Sequence, residues 1–132
     1  VSELNVDLAR RTFEAFAAGD VEAMVALVDP EFEFFPVTAN ITTGGAPYRG
    51  HDGLRQYVAD AARVWRELRI HPDEYRDLGD RVLTLGHTRA RGGGMILDLP
   101  SGWVWHMRDG KIVSCRVYAS HEEALAAVGL DK

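Results

Sequence analysis

Cysteine is nearly absent from this chain: Cys115 stands alone, so neither an intrachain disulfide nor a cysteine-built zinc cage is possible, and a reducing, cytoplasmic setting is the expectation. Basic charge is in short supply too. Fifteen Lys and Arg against twenty Asp and Glu leave a net charge of -5, which offers no general attraction to phosphate backbones or anionic lipid. Nucleic acid and membrane surfaces are therefore not expected as partners. Long apolar runs are missing, and the start VSELNVDLARR lacks the apolar core of a signal peptide, so neither a membrane span nor export is assigned. The GGG at 92–94 lies between predicted strands, whereas phosphate cradles open a helix, so no nucleotide is expected. The histidines at 51, 71, 87, 106 and 121 show no metal-ligand spacing with one another or with carboxylates, and no metal or other cofactor is expected.

What is present suits one domain over residues 1–132, long enough to bury roughly two-thirds of its unfolded surface. Over 3–18, Val6, Ala9, Phe13, Phe16 and Ala17 form one helical stripe that Gly19 stops. Asp20 caps a short second helix with Val21, Met24, Val25 and Val28 inward, ended by Asp29-Pro30. EFEFFP at 31–36 reads as a short strand, and 37–50 as a long loop. Asp52 is the expected cap of a long helix over 52–68, with Leu54, Tyr57, Val58, Ala61, Val64, Trp65 and Leu68 on its apolar stripe. A weak strand over 70–78, a stronger one over 81–91, and a strand through Met95, Leu97 and Leu99 with a bulge at Pro100-Ser101-Gly102 come next. Ser120 with Glu123 then marks a final helix by a capping-box pattern.

The stretch from 101 to 120 fixes the fold. Its two alternating strands meet at Arg108-Asp109-Gly110, and a three-residue loop with Gly110 left-handed sets Trp103, Trp105 and Met107 on one face with Val113, Cys115, Val117 and Ala119. The other face then carries Val104, His106, Ile112, Ser114, Arg116 and Tyr118, a surface for solvent or for a homodimer partner. Two helices, a strand, a long helix and then hairpin-joined strands make an α+β domain whose curved antiparallel sheet wraps a long helix and leaves a pocket.

With these residues in view, FEAFAAGDVEAMVALVDPEFEF (13–34), YRGHDGLRQYV (48–58), LGDRVLTLGHTRARG (78–92), VWHMRDGKIVSCRVY (104–118) and EEALAAVGL (122–130), the chain resembles the nuclear transport factor 2-like superfamily and its SnoaL-like, polyketide cyclase-like members. The resemblance implies a cystatin-like cone and a small apolar, cyclic ligand. Function is not settled by fold, because the superfamily holds isomerases, cyclases, hydrolases and dehydratases beside pure binders. The ketosteroid isomerase pattern would put its polar groups near Thr12, at Phe35 or Pro36, and at Trp103, and none matches. The aspartate that SnoaL-like cyclases carry near the end of the last strand falls in Val117-Tyr118-Ala119-Ser120.

The same comparison implies that Leu83, Leu85, His87 and Arg89 share the inward face with Trp103 and Trp105. On that expectation His87 is a candidate general acid or base and Arg89 a holder of a carboxylate or enolate oxygen. Phe16, Phe34, Tyr57, Leu85, Trp103, Trp105, Cys115 and Val117 are the candidate substrate-binding residues. His106 is expected outside, His51 at a helix entry, His71 in a loop and His121 in the last helix, and Cys115 is read as a buried small hydrophobe. Two functions remain open: a cofactor-free acid–base enzyme of isomerase, cyclase or hydratase type, and a non-catalytic ligand-binding or dimerisation domain.

Overall fold

A computed structural model of the chain describes residues 2–37 and 46–130. Helix α1 (Ser2–Ala17) buries Leu8, Ala9, Thr12, Phe13 and Ala15, and Gly19, at φ 71°, ends it while the Asp20 N–H closes back on the Ala15 carbonyl at 2.9 Å. Asp20 then caps α2 (Val21–Val25) by accepting from the Ala23 N–H at 3.1 Å, as its residue type predicts. Strand β1 (Val28–Phe35) precedes the 37–50 stretch, much of which lies outside the described residues and whose end is not loop but strand β2 (Tyr48–Arg49) and the first helical residue, Gly50.

Helix α3 (Gly50–Val64) starts earlier and stops sooner than the 52–68 expected. Its N-cap is Arg49, without a side-chain cap, and Asp52 sits in the first turn. The C-terminal difference has a clear cause. Trp65 is extended, the Arg66 N–H goes to the Arg91 carbonyl at 2.7 Å, and Leu68 and Ile70 become alternating inward residues of β3 (Glu67–Asp77). Ala61, Val64, Trp65 and Leu68 thus fit a helical period although only the first two are helical.

The remaining elements are β4 (Arg81–Gly92), β5 (Met95–Arg108), β6 (Lys111–Tyr118) and α4 (His121–Ala127). All six strands form one sheet, in the order β2-β1-β6-β5-β4-β3, antiparallel throughout except for the β1–β6 pair. This is the α+β cone of the sequence reading, with α1 and α3 inside its curve. No bulge interrupts β5 at Pro100, which pairs with His87 in unbroken register. Proline is tolerated there because β6 ends at Tyr118, opposite Gly102, and leaves residues 95–101 paired with β4 alone.

The last hairpin keeps its expected facing in the body: Trp103 pairs with Val117 and Trp105 with Cys115. Its end is built differently. Asp109 and Gly110 both have positive φ, 53° and 76°, making a two-residue turn, and the extra residue is Val113, between the His106–Ser114 and Met107–Ile112 pairs. Ile112, expected outside, is therefore inward and fully buried, and Val113 is displaced from the inner face.

A second correction concerns β4. Directly opposed residues share a face, so the pairs Val82–Trp105, Thr84–Trp103 and Thr88–Leu99 put the even-numbered residues inside. Leu83, Leu85, His87 and Arg89 face outward. The leucines are buried all the same, because α4 lays Ala124 and Val128 over them, with Val104 and Tyr118 packed alongside. Both faces of this half-strand are apolar, so alternation cannot choose between them. The outer face read as a partner surface is thus partly occupied by α4. Ser120 caps that helix as expected, accepting from the Glu123 N–H at 3.1 Å. His71 lies in β3, opposite His87, and not in a loop.

Candidate apolar cavity

Between the sheet's inner face and helices α1 and α3 lies a cavity of about 100 Å³. The helices contribute Thr12, Phe13 and Phe16 from α1, Met24 from α2, and Leu54, Tyr57 and the C-cap residue Trp65 from α3. The sheet contributes Phe32, Phe34, Ile70, Thr88, Ala90, Leu97, Leu99, Ser101, Trp103, Trp105, Cys115 and Val117. Aromatic rings brace one another around it. Phe13 meets Trp103 and Trp105 edge-on at 5.1 and 5.3 Å, and Tyr57 meets Phe34 at 4.6 Å and Tyr48 at 5.4 Å.

Seven of the eight candidate binding residues, Phe16, Phe34, Tyr57, Trp103, Trp105, Cys115 and Val117, line this cavity together. Leu85 does not, since it lies under α4. His87 and Arg89 are also elsewhere, on the outer face, with side chains 50% and 67% exposed. The His87 Nδ1 lies 3.1 Å from Asp73 Oδ2, in the β3 bulge, and its ring stands 5.8 Å from that of His121. Arg89 pairs with Asp98 at 3.5 Å. The expected proton-transfer pair is thus correctly placed on one strand and wrongly placed for the cavity. Thr88 and Ala90, which do line it, sit on the β4 face expected outside, and Ser101 lies where a bulge was expected, whereas Leu97 and Leu99 carry a visible alternation that points here.

Among the described residues the wall holds no Asp, Glu, His, Lys or Arg. Residues 38–45, TANITTGG, contain none either. The two titratable groups of the wall are both held neutral: burial, reinforced by Tyr48 and Cys115, raises the Tyr57 phenol, and burial pushes the Cys115 thiol well up. No thiolate is available at neutral pH, and among the described residues no three His, Cys, Asp or Glu side chains converge as metal ligands. Most polar atoms of the inner face are satisfied internally. Trp105 Nε1 donates to Thr84 Oγ1 at 3.1 Å, Thr12 Oγ1 to the Leu8 carbonyl at 2.8 Å, and Thr88 and Ser101 hydroxyls share a hydrogen bond of 2.8 Å. The other histidines lie off the cavity wall: His51 Nε2 is 3.0 Å from the Val28 carbonyl, His121 Nε2 is 2.8 Å from the Gly86 carbonyl, and His106 is outside, 3.7 Å from Asp80.

Behind Tyr57 stands a charged anchor. Asp60, buried on α3, accepts from the Tyr48 hydroxyl at 2.7 Å, Gln56 Nε2 at 2.7 Å and Arg63 at 3.2 Å, and these bonds, Tyr48 first, hold its carboxyl below the ordinary range. Because the folded carboxyl is the stronger acid, its stabilising contribution is complete above the unfolded value of about 3.9 and is lost as pH falls through the folded value. Melting temperatures of Asp60→Asn and the parent chain measured from pH 7 down to pH 2.5 are expected to differ most at pH 7 and to converge at the acid end. A constant gap would show that the charge is not what holds Tyr48.

Solved structures share this architecture. An NTF2-like protein of unknown function from Burkholderia pseudomallei is 23% identical, with a TM-score of 0.80 over 96% of this chain and 98% of that one. TerC, co-crystallised with polyporic acid, is 23% identical with a TM-score of 0.78 over 97% and 98%. An NTF2-like protein from Burkholderia xenovorans is 25% identical, at 0.74 over 96% of each. Among curated proteins none matches the sequence. Among the described residues no helix is long and apolar enough to cross a membrane. The family model described as the SnoaL-like domain matches residues 9–115, most of the chain and all of the cavity's lining residues but Val117, and on that match the chain belongs to the SnoaL-like family of the NTF2-like superfamily.

Proposed function

We propose that this protein is a binding domain for a small, uncharged, largely apolar ring compound, and that the cavity does no acid–base chemistry of its own. The supporting observation is the wall itself: aromatic and aliphatic side chains enclose it, and no group on it changes charge near neutral pH. General acid–base catalysis needs a positioned group whose pKa lies near the working pH. A cavity of about 100 Å³ is smaller than the engineered cavity of about 150 Å³ that takes benzene, which limits the occupant to one ring, with substituents directed to the mouth. TerC, of the same fold, was crystallised with a small organic molecule, which accords with this use of the architecture.

Calorimetric titration with cumene or acetophenone is expected to give saturable one-site binding with a negative heat-capacity change. Val117→Phe and Leu97→Phe, which fill the cavity from β6 and β5, are expected to abolish it while the chain still melts cooperatively. Failure of both compounds to bind the parent chain, or undiminished binding to both filled variants, overturns the reading.

A further inference from the structure

The cavity's hydrogen-bonding groups do not balance. Trp105, Thr12 and Tyr48 each donate to a protein acceptor, but the Tyr57 hydroxyl and the Trp103 indole N–H have none among the described residues. Neither atom is sealed in protein, because among the described residues every buried side-chain nitrogen and oxygen has a partner. Trp103 is only 3% exposed and sits mid-sheet on the inner face, so the free space its nitrogen meets is the cavity. The two donors come from different walls, Tyr57 from α3 and Trp103 from β5. Trp65 also lines the cavity and its Nε1 is a third unpaired donor, at the end where its ring packs with Ala61 and Ala90, apart from the main aromatic group around Phe13 and Phe34. With its phenol held neutral, Tyr57 presents a proton to donate.

A purely hydrocarbon ligand would strip water from these donors and return nothing, whereas an acceptor oxygen restores the bond. An anionic ligand meets the opposite problem: it offers acceptors, yet the wall has no cation to offset the burial of its charge. We infer that Tyr57 and Trp103 are specificity-determining donors that select an uncharged ring compound bearing a carbonyl-type oxygen, over both its hydrocarbon isostere and its carboxylate analogue. This rests on the binding reading above and narrows it.

Three probes of similar shape separate the possibilities: cumene, acetophenone and benzoate, titrated at pH 7 into the full chain. Acetophenone is expected to bind about tenfold tighter than cumene, the gain of one or two hydrogen bonds that would otherwise be lost. Benzoate is expected to bind at least a hundredfold more weakly than acetophenone. In Tyr57→Phe with Trp103→Phe the advantage of acetophenone over cumene is expected to fall to within twofold, a ratio taken within the one variant, so that the altered wall acts on both probes alike. Retained cumene binding also shows that the variant folds. Equal binding of cumene and acetophenone to the parent chain, an unchanged ratio in the double variant, or tight benzoate binding overturns the selectivity while leaving the binding domain standing. Failure of all three probes to bind removes the binding reading itself.

Discussion

Phe13→Ala is expected to lower the unfolding free energy by about 3–5 kcal/mol, the range for truncating a buried aromatic. Phe13 is 9% exposed and stands edge-on to three rings, Trp103, Trp105 and Tyr75, the last at 6.4 Å. Its removal deletes the only ring by which α1 meets both tryptophans of β5 edge-on, so the edge-to-face energy of about 0.5–1.5 kcal/mol per pair goes with the lost burial. Because Phe13 also lines the cavity, the space released is continuous with space already there, and the neighbouring rings have nothing new to collapse onto. Urea unfolding at pH 7 measures the effect. A loss under about 1.5 kcal/mol would mean that α1 is held by its aliphatic contacts, Leu8 and Ala9, and that the aromatic brace is incidental. The same variant offers a second readout: an added ring compound should raise its melting temperature more than that of the parent, since the enlarged cavity should hold it more tightly and a ligand at free concentration L stabilises the folded state by RT ln(1 + L/Kd).

The architecture was legible because strong local signals agreed with one another. Gly19 after a helical stripe, Asp20 and Ser120 as caps, and the alternation through Trp103, Trp105 and Cys115 each identify an element from its own residues. The site was legible where those elements face one core. Phe16, Phe34, Tyr57 and Val117 follow from single-face patterns and do meet in the cavity. The failures come where two faces are apolar at once. In β4, Val82-Leu83-Thr84-Leu85 is buried on both sides, and the polar member, Thr84, is inside because Trp105 supplies it a donor. Alternation therefore cannot tell the two faces apart, and the resemblance alone put Leu83, Leu85 and, two residues on, His87 inside. The long helix overran for a related reason. Trp65 and Leu68 are apolar in the helical period, but backbone pairing of Arg66 with Arg91 converts the chain to a strand, and that partner is 25 residues away, invisible to a local pattern.

Two glycines test the outer layer that α4 builds on the sheet. Gly86→Ala is expected to cost about 3 kcal/mol or more, because its Cβ would stand 2.1 Å from the His71 carbonyl oxygen and 2.9 Å from Pro72 Cα, both backbone atoms of β3 brought close beside the Asp73 bulge. No side chain can be trimmed to relieve it. Gly102→Ala meets a different obstacle, the Cβ of Ala124 at 2.2 Å, and is expected to cost about 1–3 kcal/mol by lifting α4 from Leu83 and Leu85. Here relief is possible. Gly102→Ala combined with Ala124→Gly should recover most of that loss, less about 1 kcal/mol for a glycine inside a helix, and the coupling in a double-mutant cycle should be stabilising. Ala124→Gly added to Gly86→Ala should show no such coupling, although the His121 ring at the head of α4 bonds the Gly86 carbonyl. Equal rescue of both glycine variants would mean that α4 is only loosely seated and that the carbonyl contact, not the Gly102–Ala124 approach, locates it. Selective rescue of Gly102→Ala fixes α4 as the cover of Leu83 and Leu85, the arrangement that turns Thr84 and Thr88 inward and keeps His87 out of the cavity.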